Sequence, residues 1–341
     1  MSRRVLTLVL SGVLAALLTG GAAVAPVPYV TYVPGPTFDT LGEVGGTPVI
    51  AVDGRRTYPT EGHLDLTTVS VRSDLTLAEA LLDWFDRDRA VVPREFVFPP
   101  GQSDEQVRLE NEQRKLESES TATIAALRQL RVPFTTSISV QRVEPGMPAD
   151  GALQAGDVLT TVDGRSVASS AELRERVSGT EPGTDVRIGY VRDGEPGEAV
   201  ITTAKADGED RSIIGVLLQE VPEYGFEIDI TLQDVGGPSA GLMFALGIID
   251  KLGPESVTGG LYVAGSGEIS PDGTVGPIGG ITQKLVASRE RGAEVFLVPA
   301  GNCDQAGERV PDGLRLVRVT TLQSALDALE TLRAGGEPPG C

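Results

Sequence analysis

Apolar and polar positions follow different rhythms along this chain. Residues 5–30 carry no charge, and residues 5–25 form a nearly unbroken apolar run behind Arg3 and Arg4. That length predicts a membrane-spanning helix, with the arginines cytoplasmic and the rest of the chain outside. Ala23-Val24-Ala25 has the small-x-small form of a signal-peptide cleavage site, but Pro26 directly behind it and the length of the run favour an uncleaved anchor. Residues 1–30 therefore read as cytoplasmic stub plus anchor. Residues 31–44, with Pro34 and Pro36, read as an extended linker. Residues 63–71 alternate with period 2, as a strand does. Residues 75–85 read as a helix, 93–102 as a loop and 103–130 as a long charged helix.

Strand and turn signals dominate the next stretch. Residues 138–143 read as a strand, Val162-Asp163-Gly164 as a hairpin turn, 171–177 as a helix and 186–192 as a strand. Further on, Leu242, Met243, Ala245, Leu246, Ile248, Ile249 and Leu252 recur at helical spacing. A second helix, Ile281–Arg291, is opened by Gly279 and Gly280 and closed by Gly292.

Composition narrows the function classes. The chain has 341 residues and a formal net charge of −19, which suggests two or three domains and argues against nucleic acid as a partner. Aromatic residues make up 4%, so the core is aliphatic. No Gly-x-x-x-x-Gly-Lys phosphate loop is found, and no cofactor is expected. Two thiols and one distant histidine do not complete a tetrahedral metal site, so no metal is expected either. Outside the cytoplasm Cys303 and Cys341 are expected to form a disulfide.

The candidate chemistry lies in Gly236-Gly237-Pro238-Ser239-Ala240-Gly241, just ahead of the apolar helix. Proline fits a first helical position, and Gly237 and Gly241 allow close backbone approach. Ser239 is expected in the helix's first turn, beside N–H groups suited to an oxyanion. A serine nucleophile needs a base. The chain offers one histidine, His63, and four lysines. Lys284 stands 45 positions after Ser239 (284 − 239), beside the apolar face of Ile281, Leu285 and Val286. Taken singly, each motif has a plainer reading: a tight helix start, and a lysine whose stem packs while its ammonium reaches water.

Together the motifs resemble the proteolytic domain of Lon proteases, which use a Ser-Lys dyad. The family's Pro-Ser-Ala-Gly falls on residues 238–241, and its Pro-Ile-Gly-Gly-x-x-x-Lys on residues 277–284. Gly267-Glu268-Ile269 matches a third motif, preceded by Ser266, and residues 295–299 with Asn302 match the strand and loop that follow. The resemblance implies Ser239 as nucleophile, Lys284 as base and Ser266 as the residue orienting it, supported by Gly237, Pro238 and Gly241. It departs at Gly236, where many members carry Asp. It also implies a homo-oligomer, such as a hexameric ring.

Residues 131–207 resemble a bacterial PDZ domain, which binds extended peptide ends by strand addition. The resemblance places the carboxylate loop just before the first strand, with Phe134, Ser137, Ile138 and Val140 as peptide-binding residues.

The expected fold is α+β. A Lon-type proteolytic domain (45–130 and 208–336, with a tail at 337–341) carries an inserted PDZ domain of β-sandwich-like form. The expected function is an ATP-independent serine endopeptidase acting on unfolded or flexible segments outside the cytoplasmic membrane, with the PDZ domain selecting peptide ends. The alternative is a non-enzymatic, membrane-anchored PDZ adaptor on a protease-like scaffold. The expected partners are protein or peptide substrates and the membrane.

Overall fold

Helices form where apolar positions recur every three or four residues, and strands where they alternate. A computed structural model describes residues 3–99, 104–206, 211–232 and 235–341. In chain order the main elements are α1 (Arg3–Ala23), β1 (Tyr29–Asp39), β2 (His63–Arg72), α2 (Leu77–Phe85), β3 (Ala90–Pro93) and α3 (Asp104–Gln129). There follow β4 (Thr135–Val143), β5 (Val158–Val162), α4 (Ser170–Ser178), β6 (Asp185–Arg192), β7 (Glu195–Thr202) and β8 (Val216–Glu223). The chain continues with α5 (Gly241–Leu252), β9 (Tyr262–Gly265), α6 (Ile281–Arg291), β10 (Val295–Pro299), α7 (Cys303–Gly307), β11 (Arg315–Val319) and α8 (Leu322–Arg333). Ser103, the end of the 93–102 loop and the expected boundary at 207–208 lie outside the described residues.

The elements divide into two units: Met1–Ala51, Arg56–Ala122 and Asp229–Cys341 in the first, Val52–Arg55 and Thr123–Ile228 in the second. The first unit is built on a six-stranded sheet in the order β11-β10-β9-β2-β1-β3. Strands β2, β9, β10 and β11 run parallel to one another, while β1 is antiparallel to both β2 and β3. Helix α6 packs its Ile281 and Leu285 into a core with Ala264, Phe296 and Val298.

One expectation is corrected by the sheet and another finds no support. The linker at 31–44 is largely strand: β1 lies inside the sheet, with Val30 and Thr31 fully buried. Pro36 falls where the register shifts between Pro34 and Thr37, an irregularity that tolerates a missing N–H, while Pro34 remains in register opposite Val69. The membrane-spanning anchor is not supported either. Among the described residues no helix is long and apolar enough to cross a membrane. What stands there is α1, whose 21 residues include Thr7, Ser11, Gly12, Thr19, Gly20 and Gly21 among the apolar ones.

The second unit has a sheet in the order β7-β6-β5-β4-β8. Its core joins Ile138 and Val140 of β4 to Leu173 and Val177 of α4 and Val186 and Ile188 of β6. The unit runs beyond residue 207 because β8 pairs along the whole of β4, from Val216↔Val143 to Glu223↔Thr135.

Cys303 and Cys341 form a disulfide with a Cα–Cα distance of 5.0 Å across 38 positions. The tail it holds runs back along β11, where the Arg318 N–H donates to Pro339 O at 2.9 Å. In the chain-entropy picture a loop of this length contributes about 3–4 kcal/mol. Cys341→Ser is expected to lower the free energy of denaturant unfolding by that amount, moving the midpoint to lower denaturant, and free-thiol labelling of the unreduced protein is expected to be negligible. Stoichiometric labelling contradicts the bridge.

Candidate active site

The serine loop is held by its neighbours before any catalytic role is considered. The chain turns at Gly237, whose φ of +85° lies where a residue without Cβ carries no steric penalty. The N–H groups of Met243 and Phe244 donate to Ala240 O at 2.9 and 3.0 Å. Ala240 is thus the cap of α5, and Ser239 stands just ahead of the helix rather than in its first turn as expected. The N–H groups of Ser239 and Ala240 donate to no acceptor among the described residues. They lie at the positive end of the α5 dipole.

Helix α3 supports this loop, a role that sequence reasoning missed. Asn111 O accepts from the Gly237 N–H at 2.9 Å, Ser118 Oγ donates to Pro238 O at 3.0 Å, and Lys115 Nζ donates to Leu232 O. Asn111, Lys115 and Ser118 share one helix face by their i, i+4, i+7 spacing, and that stripe was the available signal. A side chain at Gly241 would meet Ser118 Oγ and Ile269 Cγ2, each at 2.8 Å, so this position must stay small.

Residues 266–269 approach from the other side. Gly267 N–H donates to Ser239 O at 2.8 Å, and Leu242 N–H to Gly267 O at 3.0 Å. Ser266 Oγ also donates to Ser239 O, at 2.8 Å. The Pro277–Gly280 turn is clasped by Asn302, which accepts from the Ile278 N–H and donates to Ile278 O, both at 2.8 Å. From that turn α6 carries Lys284 into the core, where it is only 3% exposed.

Lys284 Nζ donates to Ser239 Oγ at 2.8 Å and to Ser266 Oγ at 2.7 Å. Burial lowers its pKa from an ordinary 10.5 to about 7, against the opposing pull of the Glu268 carboxylate. A buried lysine near neutrality is a group that can accept a proton at physiological pH. The structure therefore brings together Ser239, Lys284 and Ser266, with Gly237, Pro238 and Gly241 shaping the loop.

A cavity of about 480 Å³ opens on these groups, bounded by Tyr32, Thr68, Val69 and Ser70. Its wall follows from strand length. The pairing of β2 with β9 ends at Leu66↔Gly265, whereas β2 runs on to Arg72. Residues 67–72 thus have one edge without a strand partner among the described residues, and residues 67–71 line the same cavity as Ser239.

In the second unit the expected peptide-binding residues do not line a groove. Ile138 and Val140 are 2% and 1% exposed core residues. Ser137 Oγ donates to Val221 O at 3.5 Å, and the Phe134 ring lies under the Arg128 guanidinium, 5.9 Å away. The physical reason is that β4 is paired along its length by β8 and, at Ile138 and Ser139, by β5, while Val140 exchanges backbone hydrogen bonds with Gly156 and Asp157, so no added strand can pair at Ile138 and Val140. The cavity of this unit, about 380 Å³, lies instead between α4 and the segment leading into β8, bounded by Leu173, Val177, Ile213, Gly215, Val216 and Leu218.

Two families match different parts of the chain. Residues 233–331 match the Lon protease (S16) C-terminal proteolytic domain, and residues 107–203 match the PDZ domain. The chain is 37% identical over 95 residues to Lon protease 2 of Bacillus subtilis, covering 28% of this chain and 17% of that one. It is 44% identical over 64 residues to the periplasmic pH-dependent serine endoprotease DegQ of Escherichia coli, covering 18% of this chain and 14% of that one. The PDZ domain of an SdrC-like protein of Listeria innocua aligns with 24% of this chain and 92% of its own length, at 33% identity and a TM-score of 0.23. The chain spans less than a fifth of each of the two curated relatives named here. It thus carries a Lon-type proteolytic domain together with a PDZ domain.

The lysine pKa has a stability consequence whose sign is fixed. Between about 7 and 10.5 the unfolded chain holds a proton at Lys284 that the folded chain has released. Stability from this group therefore rises with pH across that window and is lowest below it. Lys284→Met is expected to raise Tm by several degrees at pH 6, with the gain shrinking toward pH 10. A difference in Tm that does not change with pH contradicts the lowered pKa.

Proposed function

We propose that the chain is a serine endopeptidase with a Ser239–Lys284 dyad, acting without ATP on flexible or unfolded protein segments. The observation that carries this reading is the buried Lys284 Nζ within 2.8 Å of Ser239 Oγ, with its pKa brought near 7.

The neutral Lys284 amine takes the Ser239 hydroxyl proton as Oγ attacks the scissile carbonyl carbon. The developing oxyanion is received by the Ser239 and Ala240 N–H groups at the α5 terminus. The Lys284 ammonium then returns the proton to the departing amine nitrogen, leaving an ester on Ser239. Water hydrolyses that ester with Lys284 again accepting a proton. Ser266 fixes the position of the amine by accepting one of its N–H bonds. The open edge of β2 suits an extended substrate backbone laid alongside it, which is why flexible segments are favoured over folded ones.

The PDZ domain is proposed to hold peptide ends in the α4–β8 cavity. The supporting feature is that β8 is the outer strand of its sheet, so strand addition is open to it.

The chain is further proposed to work outside the reducing cytoplasm, where its disulfide is stable. Attachment to a membrane is proposed through α1, whose Val9, Leu10, Leu14 and Leu17 side chains are exposed. Assembly into a homo-oligomer rests on likeness to Lon proteases alone.

A fluorophosphonate probe is expected to label Ser239 and nothing in Ser239→Ala. Peptide hydrolysis is expected to be unchanged by ATP and to rise with pH through one ionisation near 7. Lys284→Arg, whose guanidinium stays protonated, is expected to be folded and inactive. Ser266→Ala is expected to lower kcat roughly 10- to 100-fold, as loss of one hydrogen bond to a reacting group would. A folded Lys284→Arg protein with near-normal turnover rejects the dyad.

The two candidate peptide sites of the PDZ domain are separable. Ile213→Asp is expected to weaken cleavage of substrates selected by their C-terminal tails while sparing a small flexible peptide, and Phe134→Ala is expected to affect neither. The opposite pattern returns the peptide site to the start of β4.

A further inference from the structure

A polar cluster on the sheet of the first unit takes no part in the chemistry of Ser239 and Lys284. Asp39 ends β1 and is paired directly with Asp65 on β2. His63 lies two residues before Asp65 on the same strand, so both side chains leave one face of the sheet. Tyr262 opens β9 in register with His63, and its ring lies against the imidazole with centroids 4.6 Å apart.

Asp39, His63 and Asp65 each bring one ligand atom within 4.8 Å of the other two. His63 Nδ1 lies 2.8 Å from Asp39 Oδ2. The Tyr262 hydroxyl donates to Asp65 Oδ2 at 2.8 Å. Asp65 is 1% exposed, and its Oδ1 meets no donor in good hydrogen-bond geometry among the described residues, the Thr37 hydroxyl exerting only a lesser pull on this carboxylate. A buried carboxylate oxygen left without a donor or a cation is destabilising, and this one lies within a set of groups able to hold a cation.

We propose that Asp39, His63 and Asp65 bind a divalent transition-metal ion of the Zn²⁺ or Mn²⁺ type. One imidazole with two carboxylates is a mixed nitrogen and oxygen set that suits these ions, whereas Ca²⁺ and Mg²⁺ prefer oxygen alone. The two carboxylates balance the double charge. His63 gives its Nδ1 lone pair to the ion and keeps its proton on Nε2, exchanging the Asp39 contact for a shared metal.

Tyr262 holds Asp65 Oδ2 and leaves Oδ1 for the ion, as outer partners of metal-binding carboxylates commonly do. The His63 side chain is 55% exposed, which provides the entry path and room for water ligands. Arg291, whose Nε stands 4.0 Å from Asp65 Oδ2, is 63% exposed and able to turn toward solvent. An ion here joins β1 to β2 and acts on stability rather than on peptide hydrolysis. The histidine was set aside in the sequence because no thiol lies near it; carboxylates complete the set instead.

The test uses the full chain, stripped with chelator and then titrated. Zn²⁺ is followed by calorimetry and Mn²⁺ by electron paramagnetic resonance. The expected result is one ion per chain, with Zn²⁺ raising the Tm of the wild type. His63→Ala, at an exposed position and expected to fold, should lower affinity at least about tenfold and abolish the rise in Tm. Asp39→Asn gives a second, independent readout of the same site. Absence of stoichiometric binding by the wild type overturns the proposal, as does binding unchanged in both variants.

Discussion

Withdrawing one amine from water is the constraint on which the candidate site depends. An ammonium at the place of Lys284, buried on the same helix as Ile281 and Leu285, would lose hydration that two neutral hydroxyls restore only in part. The group therefore favours its uncharged form near neutrality. The same two hydroxyls that satisfy its hydrogen bonds, those of Ser239 and Ser266, place it where a proton can be taken from a serine. Stability and chemistry thus pull against each other at one side chain. Glu268 acts in the opposite sense, favouring the charged form.

The sheet explains why that amine faces an open cleft. Strand β9 stops at Gly265, where its pairing with β2 also ends. The next residue, Ser266, leaves the sheet and reaches Lys284, and Gly267 accepts from α5 and donates to Ser239 O. One strand end therefore does two things: it delivers the residue that positions the amine, and it bares the edge of β2 opposite Ser239. Helix α3 closes the arrangement from the other side through Asn111 and Ser118. The loop that carries Ser239 is thereby fixed by backbone bonds from two directions, and a reacting hydroxyl needs such fixed placement.

Much of the site was legible in the sequence, because the relevant signals are short and local. Glycines around a Pro-Ser pair, a helix-length apolar run and a lysine on a second helix need no long-range knowledge. What could not be read depends on pairing. The prolines of residues 31–44 look like a linker, yet Pro34 sits in register opposite Val69 and Pro36 falls in the irregularity before Thr37. The start of β4 looks like an available edge until β8, more than 70 residues later, covers it. Asn111, Lys115 and Ser118 look like the solvated face of a charged helix, and Asp39, His63 and Asp65 are brought together only by strand register. Each of these depends on which strand or loop lies alongside, a property no window of sequence contains.

The small number of lysines allows the Lys284 amine to be titrated in the native protein. With four lysines in the chain, selective labelling with ¹³Cε-lysine yields four resonances assignable by substitution. Their titration reads each amine directly. The Lys284 resonance is expected to titrate near pH 7 in the wild type and to vanish from the spectrum of Lys284→Met. A Lys284 resonance that titrates at the ordinary lysine value, in a folded protein, contradicts the lowered pKa.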